Sequence, residues 1–124
     1  RTLIAQNFFA SDLPADNFDA IVMGEVLEHV EDPKSFLDKI YEHAKADAFI
    51  FITTCVNAPQ LDHIYLFRTL EEVDTMLHSA NFEIKNFKAI PYEGKTLEEC
   101  VKLQLPINVA YVLAKQVRAE KNYP

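Results

Sequence analysis

The residues of this chain best suited to chemistry lie in the segment GEVLEHVEDP, which spans positions 24–33. It holds two carboxylates and an imidazole, those of Glu25, Glu28 and His29. Because side chains three and four residues apart meet on one face of a helix, we expect all three on the same helix face. An imidazole titrates near neutral pH, so His29 is a candidate general base.

The apolar runs indicate which elements position this segment. FDAIVMG at 18–24 and AFIFITT at 48–54 are short and almost continuously apolar, which is typical of strands covered on both faces in a parallel sheet. Asp32 and Pro33 suit the start of a helix, which we place near residues 33–45. The carboxylate segment therefore directly follows the end of a buried strand.

The remaining sequence alternates strands with helices. Capping boxes at Thr69–Glu72 and Thr96–Glu99 predict the starts of two further helices. Alternating or apolar runs predict strands at 2–9, 82–90 and 107–116. This alternation predicts an α/β fold with a largely parallel sheet.

Length and composition limit the classes of function. The 124 residues suffice for one domain, which we take as 1–124 with a frayed tail at 117–124. A net charge of −7 with no basic run argues against nucleic acid, and no apolar stretch is long enough to cross a membrane. Cys55 and Cys100 lack metal-type spacing and fit small buried residues in a reducing compartment, so we expect the cytoplasm. Only two glycines are present, which excludes a glycine-rich phosphate loop.

The order of these motifs resembles that of one protein family. FDAIVMGEVLEHVEDPKSFLDKI, AFIFITT, FRTLEEVDTMLHSANFEI and a last strand ending VLAK are similar to the C-terminal half of class I S-adenosylmethionine-dependent methyltransferases. The resemblance implies a Rossmann-like sheet with strands in the order 4-5-7-6 and the last strand antiparallel. It also implies that N-terminal strands 1 and 2 and the glycine-rich loop of that family are missing here.

The resemblance further implies an enzyme. The full-length protein would move a methyl group from S-adenosylmethionine to a small-molecule acceptor, for which we expect a hydroxyl, and this chain alone would be inactive. Contacts to the cofactor would come from Asn7 and Phe8 and from the end of the first apolar strand, at Met23, Gly24 and Glu25.

The spacing ExxEH is also similar to that of ubiquinone-biosynthesis O-methyltransferases and small-RNA 2′-O-methyltransferases. That similarity implies that Glu25, Glu28 and His29 hold a divalent metal such as Mg²⁺, with His63 as a further ligand. Without a metal, His29 or His63 would be the general base. A second interpretation stays open, in which the two glutamates only complement a helix dipole and His29 packs against or hydrogen-bonds to a neighbouring loop.

The strand at 18–24 would lack a neighbour on one side if the family's first strand is missing. Unpaired backbone groups along an apolar strand are costly and promote association. We therefore expect either a fragment of a larger protein or a homo-oligomer in which another chain covers this edge. The same feature supports an alternative function, a non-catalytic methyltransferase-like module for interaction or dimerisation.

Overall fold

The computed structural model describes residues 18–58 and 66–116. The strand expected at 2–9 and the tail expected at 117–124 lie outside the described residues. The elements, in chain order, are β1 (Phe18–Gly24), a 3-10 helix (Leu27–His29), α1 (Pro33–His43), β2 (Ala44–Val56), α2 (Leu70–Ser79), β3 (Phe82–Ile90), α3 (Leu97–Leu103) and β4 (Ile107–Lys115).

The four strands form one sheet in the order β1-β2-β4-β3. β1 and β2 are parallel, whereas β4 runs antiparallel to both β2 and β3. This arrangement confirms the predicted order 4-5-7-6 and the antiparallel last strand. Within the described ranges, β1 therefore forms one edge of the sheet, as expected for the strand at 18–24.

Local capping explains where the helices begin. The Asp32 side chain accepts a hydrogen bond from the backbone N–H of Ser35, and Pro33 occupies the first helical position of α1. Both predicted capping boxes are present, at the starts of α2 and α3. Each box satisfies backbone N–H groups that have no partner inside the helix.

The boundary between α1 and β2 differs from the prediction. α1 ends at His43 instead of residue 45, and β2 begins at Ala44 instead of residue 48. Two charged residues, Lys45 and Asp47, concealed this part of the strand because their exposed side chains interrupt the apolar run. Ala44 pairs with Phe18, and Lys45 forms an ion pair of 2.9 Å with Asp19. The additional residues at the start of β2 therefore contact β1.

The two faces of the sheet are covered unequally. Helices α1 and α2 contribute to a single buried core with the residues of one face of the sheet. The sheet residues in this core include Ile21, Ile50, Ile52, Tyr111 and Leu113. Successive strand residues point to opposite faces, and on the second face Val22 is 66% exposed and Phe49 is 51% exposed. The described residues therefore leave apolar surface open on that face, beside the β1 edge.

None of the described helices has both the length and the apolar composition needed to span a membrane.

Candidate functional site

Three side chains that can bind protons or metals meet where the two parallel strands end. Glu25 follows the last residue of β1, Glu28 lies in the 3-10 helix, and Cys55 is the penultimate residue of β2. One ligand atom from each of the three lies within 4.8 Å of the others. Ligands in open α/β sheets bind beyond the carboxyl ends of the strands, which is the end that carries this group.

Glu25 has an unusual backbone conformation. Its φ angle of 56° lies in the left-handed region, which is unfavourable for residues other than glycine. Its backbone N–H donates to both the carbonyl oxygen and the hydroxyl Oγ1 of Thr53, each at 3.0 Å. The expected single helix face for Glu25, Glu28 and His29 is therefore wrong, because Glu25 ends β1 in a turn held by β2 and precedes the 3-10 helix.

Glu28 is the buried member of the group, with only 1% of its surface exposed. Its Oε1 accepts a hydrogen bond of 2.7 Å from the Thr54 hydroxyl, and its Oε2 accepts one of 3.6 Å from Cys55 Sγ. Burying a carboxylate is expensive unless donors compensate for the lost water. Each oxygen of Glu28 has such a donor on β2.

The Cys55 thiol is in the protonated form that a hydrogen-bond donor to Glu28 requires. Burial is the main cause that raises the pKa of its thiol from 9.0 to about 12, and the nearby charges of Glu28 and Glu25 add to the effect. The thiol is therefore protonated at neutral pH and acts as a donor. The predicted burial of Cys55 is confirmed, but its contact with Glu28 was missed. The sequence feature that could have revealed this contact is the run Thr53-Thr54-Cys55, which lies near the carboxyl end of a strand predicted to be parallel to the one that precedes Glu25.

The other predicted site residues are less closely grouped. His29 ends the 3-10 helix, is half-buried, and does not belong to the converging group of Glu25, Glu28 and Cys55. Met23 is half-buried and Gly24 exposed at the end of β1. The remaining predicted residues, Asn7, Phe8 and His63, lie outside the described residues.

A cavity of about 260 Å³ adjoins Glu25. Its polar lining comes from Glu25, Thr53 and Asn108, and its apolar lining from Ile90 and the start of β4. A larger groove of about 410 Å³ lies along α2, opens widely to solvent, and does not include the converging carboxylates. The smaller cavity is therefore the described space in which a small molecule would meet the Glu25 carboxylate.

Comparison with known proteins identifies related sequences. Residues 2–87 match a family described as "Methyltransferase domain". The "Ubiquinone biosynthesis O-methyltransferase, mitochondrial" of Dictyostelium discoideum is 30% identical, over an alignment covering 65% of this chain and 31% of that protein. The chain thus spans about a third of the length of this relative.

Solved structures share the fold at low sequence identity. The cyclase SpnF superimposes with a TM-score of 0.70 and 12% identity, covering 93% of this chain and 56% of that chain. The 1,6-didemethyltoxoflavin-N1-methyltransferase of Burkholderia thailandensis gives a TM-score of 0.67 and 17% identity, covering 92% and 50%. That structure contains 1,6-didemethyltoxoflavin and S-adenosylhomocysteine. Both likenesses support the Rossmann-like fold predicted from the motif order.

Proposed function

This chain belongs to the methyltransferase domain family, and on that premise we propose that its protein transfers a methyl group from S-adenosylmethionine to a hydroxyl of a small molecule. The observation that carries the proposal is the meeting of Glu25 and Glu28 beyond the carboxyl ends of β1 and β2. The O-methyltransferase name of the relative from Dictyostelium discoideum supports oxygen as the acceptor atom.

Methyl transfer to oxygen asks two things of a protein. The acceptor oxygen must be held in line with the methyl carbon, and its proton must leave. Glu25 has the exposed carboxylate of the converging group, whereas Glu28 is buried with both oxygens hydrogen bonded. Glu25 is therefore suited to receive or orient the hydroxyl proton. His29 and His63 stay predicted as general bases.

The cavity beside Glu25 supports an acceptor without negative charge. A carboxylate in the wall repels an anion and attracts a hydroxyl or a cation. Thr53 and Asn108 add hydrogen-bonding groups to the same wall, and Ile90 adds apolar surface. We therefore assign a neutral or cationic, partly apolar hydroxyl compound to this cavity.

The end of β1 is suited to lie beside the cofactor. Gly24 is exposed, and among the described residues a Cβ added there would come within 4 Å of Thr53 Oγ1 alone, at the ordinary contact distance of 3.7 Å. Space therefore remains next to the strand end, where Met23, Gly24 and Glu25 are the proposed contacts. S-adenosylmethionine supplies an electrophilic methyl group on a sulfonium, and these residues would orient it.

A divalent metal is the finer part of the proposal. The carboxylates of Glu25 and Glu28 are oxygen ligands of the kind Mg²⁺ prefers, whereas the protonated Cys55 thiol is not. Glu25 and Glu28 would hold the ion, with His29 and His63 as the further predicted ligands. A metal bound there would polarise an acceptor oxygen and favour loss of its proton.

Calorimetric titration of S-adenosylhomocysteine into this chain, and into any longer product of the same gene, tests the proposed function. Binding by the longer product, with methyl transfer to a hydroxyl acceptor, is expected. Glu25→Gln should reduce transfer at least tenfold, whereas Glu93→Gln, an exposed loop glutamate, should not. Absence of binding in every product would reject the enzyme, and full activity in a chelator would reject the metal.

The open surface favours a second function, that of an interaction module. Val22 is 66% exposed on the open face of the sheet, and one long side of β1 pairs with no strand among the described residues. A second copy of this chain could pair along that edge, giving a homo-oligomer. Light scattering should then show dimers that Val22→Lys dissociates, whereas Val101→Lys, changed at a residue 63% exposed on α3, should leave them intact. A strictly monomeric chain would reject this function.

We also place the protein in the cytoplasm. Cys55 and Cys100 are buried free thiols, and a reducing compartment keeps thiols in that form. Fractionation of cells expressing a tagged protein tests this location.

A further inference from the structure

Two neighbouring threonines of β2 each contact one of the two glutamates. Side chains of successive strand residues point to opposite sides, so Thr53 and Thr54 reach different surroundings. The Thr53 hydroxyl accepts from the backbone N–H of Glu25, and the Thr54 hydroxyl donates to the carboxylate of Glu28. One short segment of strand thus holds both glutamates, although they lie 28 and 26 residues away along the chain.

The contact with Thr53 acts on the backbone of Glu25. A residue with a side chain is strained in the left-handed conformation, so it needs stabilising contacts to persist. The Glu25 N–H is shared between the carbonyl and hydroxyl oxygens of Thr53, both at 3.0 Å. This shared hydrogen bond joins the turn after β1 to the end of β2. It fixes the position of the Glu25 backbone, from which the side chain extends.

The contact with Thr54 acts on the carboxylate of Glu28 itself. The distance of 2.7 Å is that of a strong hydroxyl–carboxylate hydrogen bond. Cys55 Sγ donates to the other oxygen of Glu28, Oε2, at a longer distance of 3.6 Å, so Thr54 makes the closer of the two contacts. A carboxylate that is 1% exposed and bonded at both oxygens has one orientation available.

We propose that Thr53 and Thr54 are positioning residues that hold Glu25 and Glu28 in the geometry required for methyl transfer. This inference rests on the proposed function for its catalytic consequence, but the positioning can be measured without it. Each threonine acts through a glutamate; Thr53 also lines the cavity beside Glu25, whereas Thr54 is not among its lining residues. The role requires the hydroxyl group, and the shape of the side chain alone does not fulfil it.

Valine and serine substitutions separate the hydroxyl from the shape. Thr53→Val and Thr54→Val remove the hydroxyl and keep the branched side chain, while Thr53→Ser and Thr54→Ser keep the hydroxyl. Thr75→Val, at an exposed position of α2, is the matched control. Denaturant unfolding of every variant identifies any that fails to fold. If a valine variant does not fold, the serine variant at the same position tests whether the hydroxyl group is enough for the positioning.

The first readout is structural and needs no activity. We expect amide hydrogen exchange at Glu25 to become about tenfold faster in Thr53→Val and to return within about threefold of wild type in Thr53→Ser. The carboxyl carbon resonance of Glu28 should shift in Thr54→Val and recover in Thr54→Ser. Unchanged exchange and an unchanged resonance in the valine variants would overturn the positioning role.

The second readout is kinetic. In an active methyltransferase, each valine variant should lower kcat about tenfold, and each serine variant should restore it. Little change in the acceptor KM is expected for Thr54→Val, because Thr54 does not line the cavity beside Glu25. Equal kcat in wild type and valine variants would overturn the catalytic consequence. If neither this chain nor any longer product of the gene transfers a methyl group, the proposed function fails, and the exchange and resonance measurements still decide the positioning separately.

Discussion

The Tyr111 hydroxyl donates a hydrogen bond of 2.7 Å to Asp74 Oδ1, and this bond joins β4 to α2. Tyr111 is 1% exposed and belongs to the core face of the sheet, whereas Asp74 lies on the helix that covers it. The bond therefore helps to hold α2 on the sheet, and the first residue of α2, Leu70, lines one cavity together with Val56 at the end of β2.

Tyr111→Phe is expected to lower the free energy of unfolding by about 1–1.5 kcal/mol, since it removes one hydrogen bond and leaves a partly buried carboxylate oxygen without its donor. Urea denaturation measures the change. Tyr92→Phe is the control, because Tyr92 is 51% exposed and its substitution should stay within about 0.5 kcal/mol of wild type. Equal effects of the two substitutions would contradict a stabilising bond.

Thr69→Ala is expected to destabilise the protein by about 1 kcal/mol, because it removes the side chain that accepts from the Glu72 N–H at the start of α2. Thermal unfolding followed by circular dichroism measures the loss. Thr75→Ala lies within the same helix at an exposed position and should be neutral or slightly stabilising, since alanine has the higher helix propensity. An equal loss of stability in both variants would contradict a capping role for Thr69.

Glu25→Gly is expected to raise the free energy of unfolding by up to about 1 kcal/mol relative to Glu25→Ala, because glycine adopts the left-handed conformation without steric cost. Both variants lose the carboxylate, so both should lose methyl transfer in an active protein. Higher stability of Glu25→Gly than of Glu25→Ala would show that the left-handed backbone at this position is strained. Equal stability of the two variants would argue against strain at this position.

The Cys55 thiol makes stability depend on alkaline pH. Its pKa is raised from 9.0 in the unfolded chain to about 12 in the folded one, so between these values the folded state keeps a proton that the unfolded state has lost. The contribution is complete below pH 9 and disappears as the pH rises towards 12, so unfolding becomes easier across this window.

Cys55→Ala should make the decline of stability between pH 9 and 12 shallower. Burial and the bond to Asp74 also raise the pKa of Tyr111, so alkaline destabilisation will not vanish completely. Guanidinium unfolding at several pH values, comparing wild type with Cys55→Ala, isolates the thiol. Parallel pH profiles for the two proteins would show that Cys55 does not titrate in this window.

Local features of the fold were predictable from sequence because their causes are local. Asp32 and Pro33 start α1, and the boxes at Thr69 and Thr96 start α2 and α3. Each of these signals acts over a few residues, through backbone groups of the same turn. The strand order depends on long-range pairing, and only the resemblance to a family, not any local pattern, predicted it.

The amino-acid sequence by itself determined that Glu25 and Glu28 follow a buried strand and that Thr53, Thr54 and Cys55 end another. Only the tertiary structure decided that these two groups meet, because parallel pairing of β1 with β2 brings the carboxyl ends of both strands to the same end of the sheet. Thr54 and Cys55, which lie 26 and 27 residues after Glu28 in the chain, then donate hydrogen bonds to its carboxylate. The left-handed turn at Glu25 was equally hidden, since the bond that stabilises it comes from a strand far away in sequence.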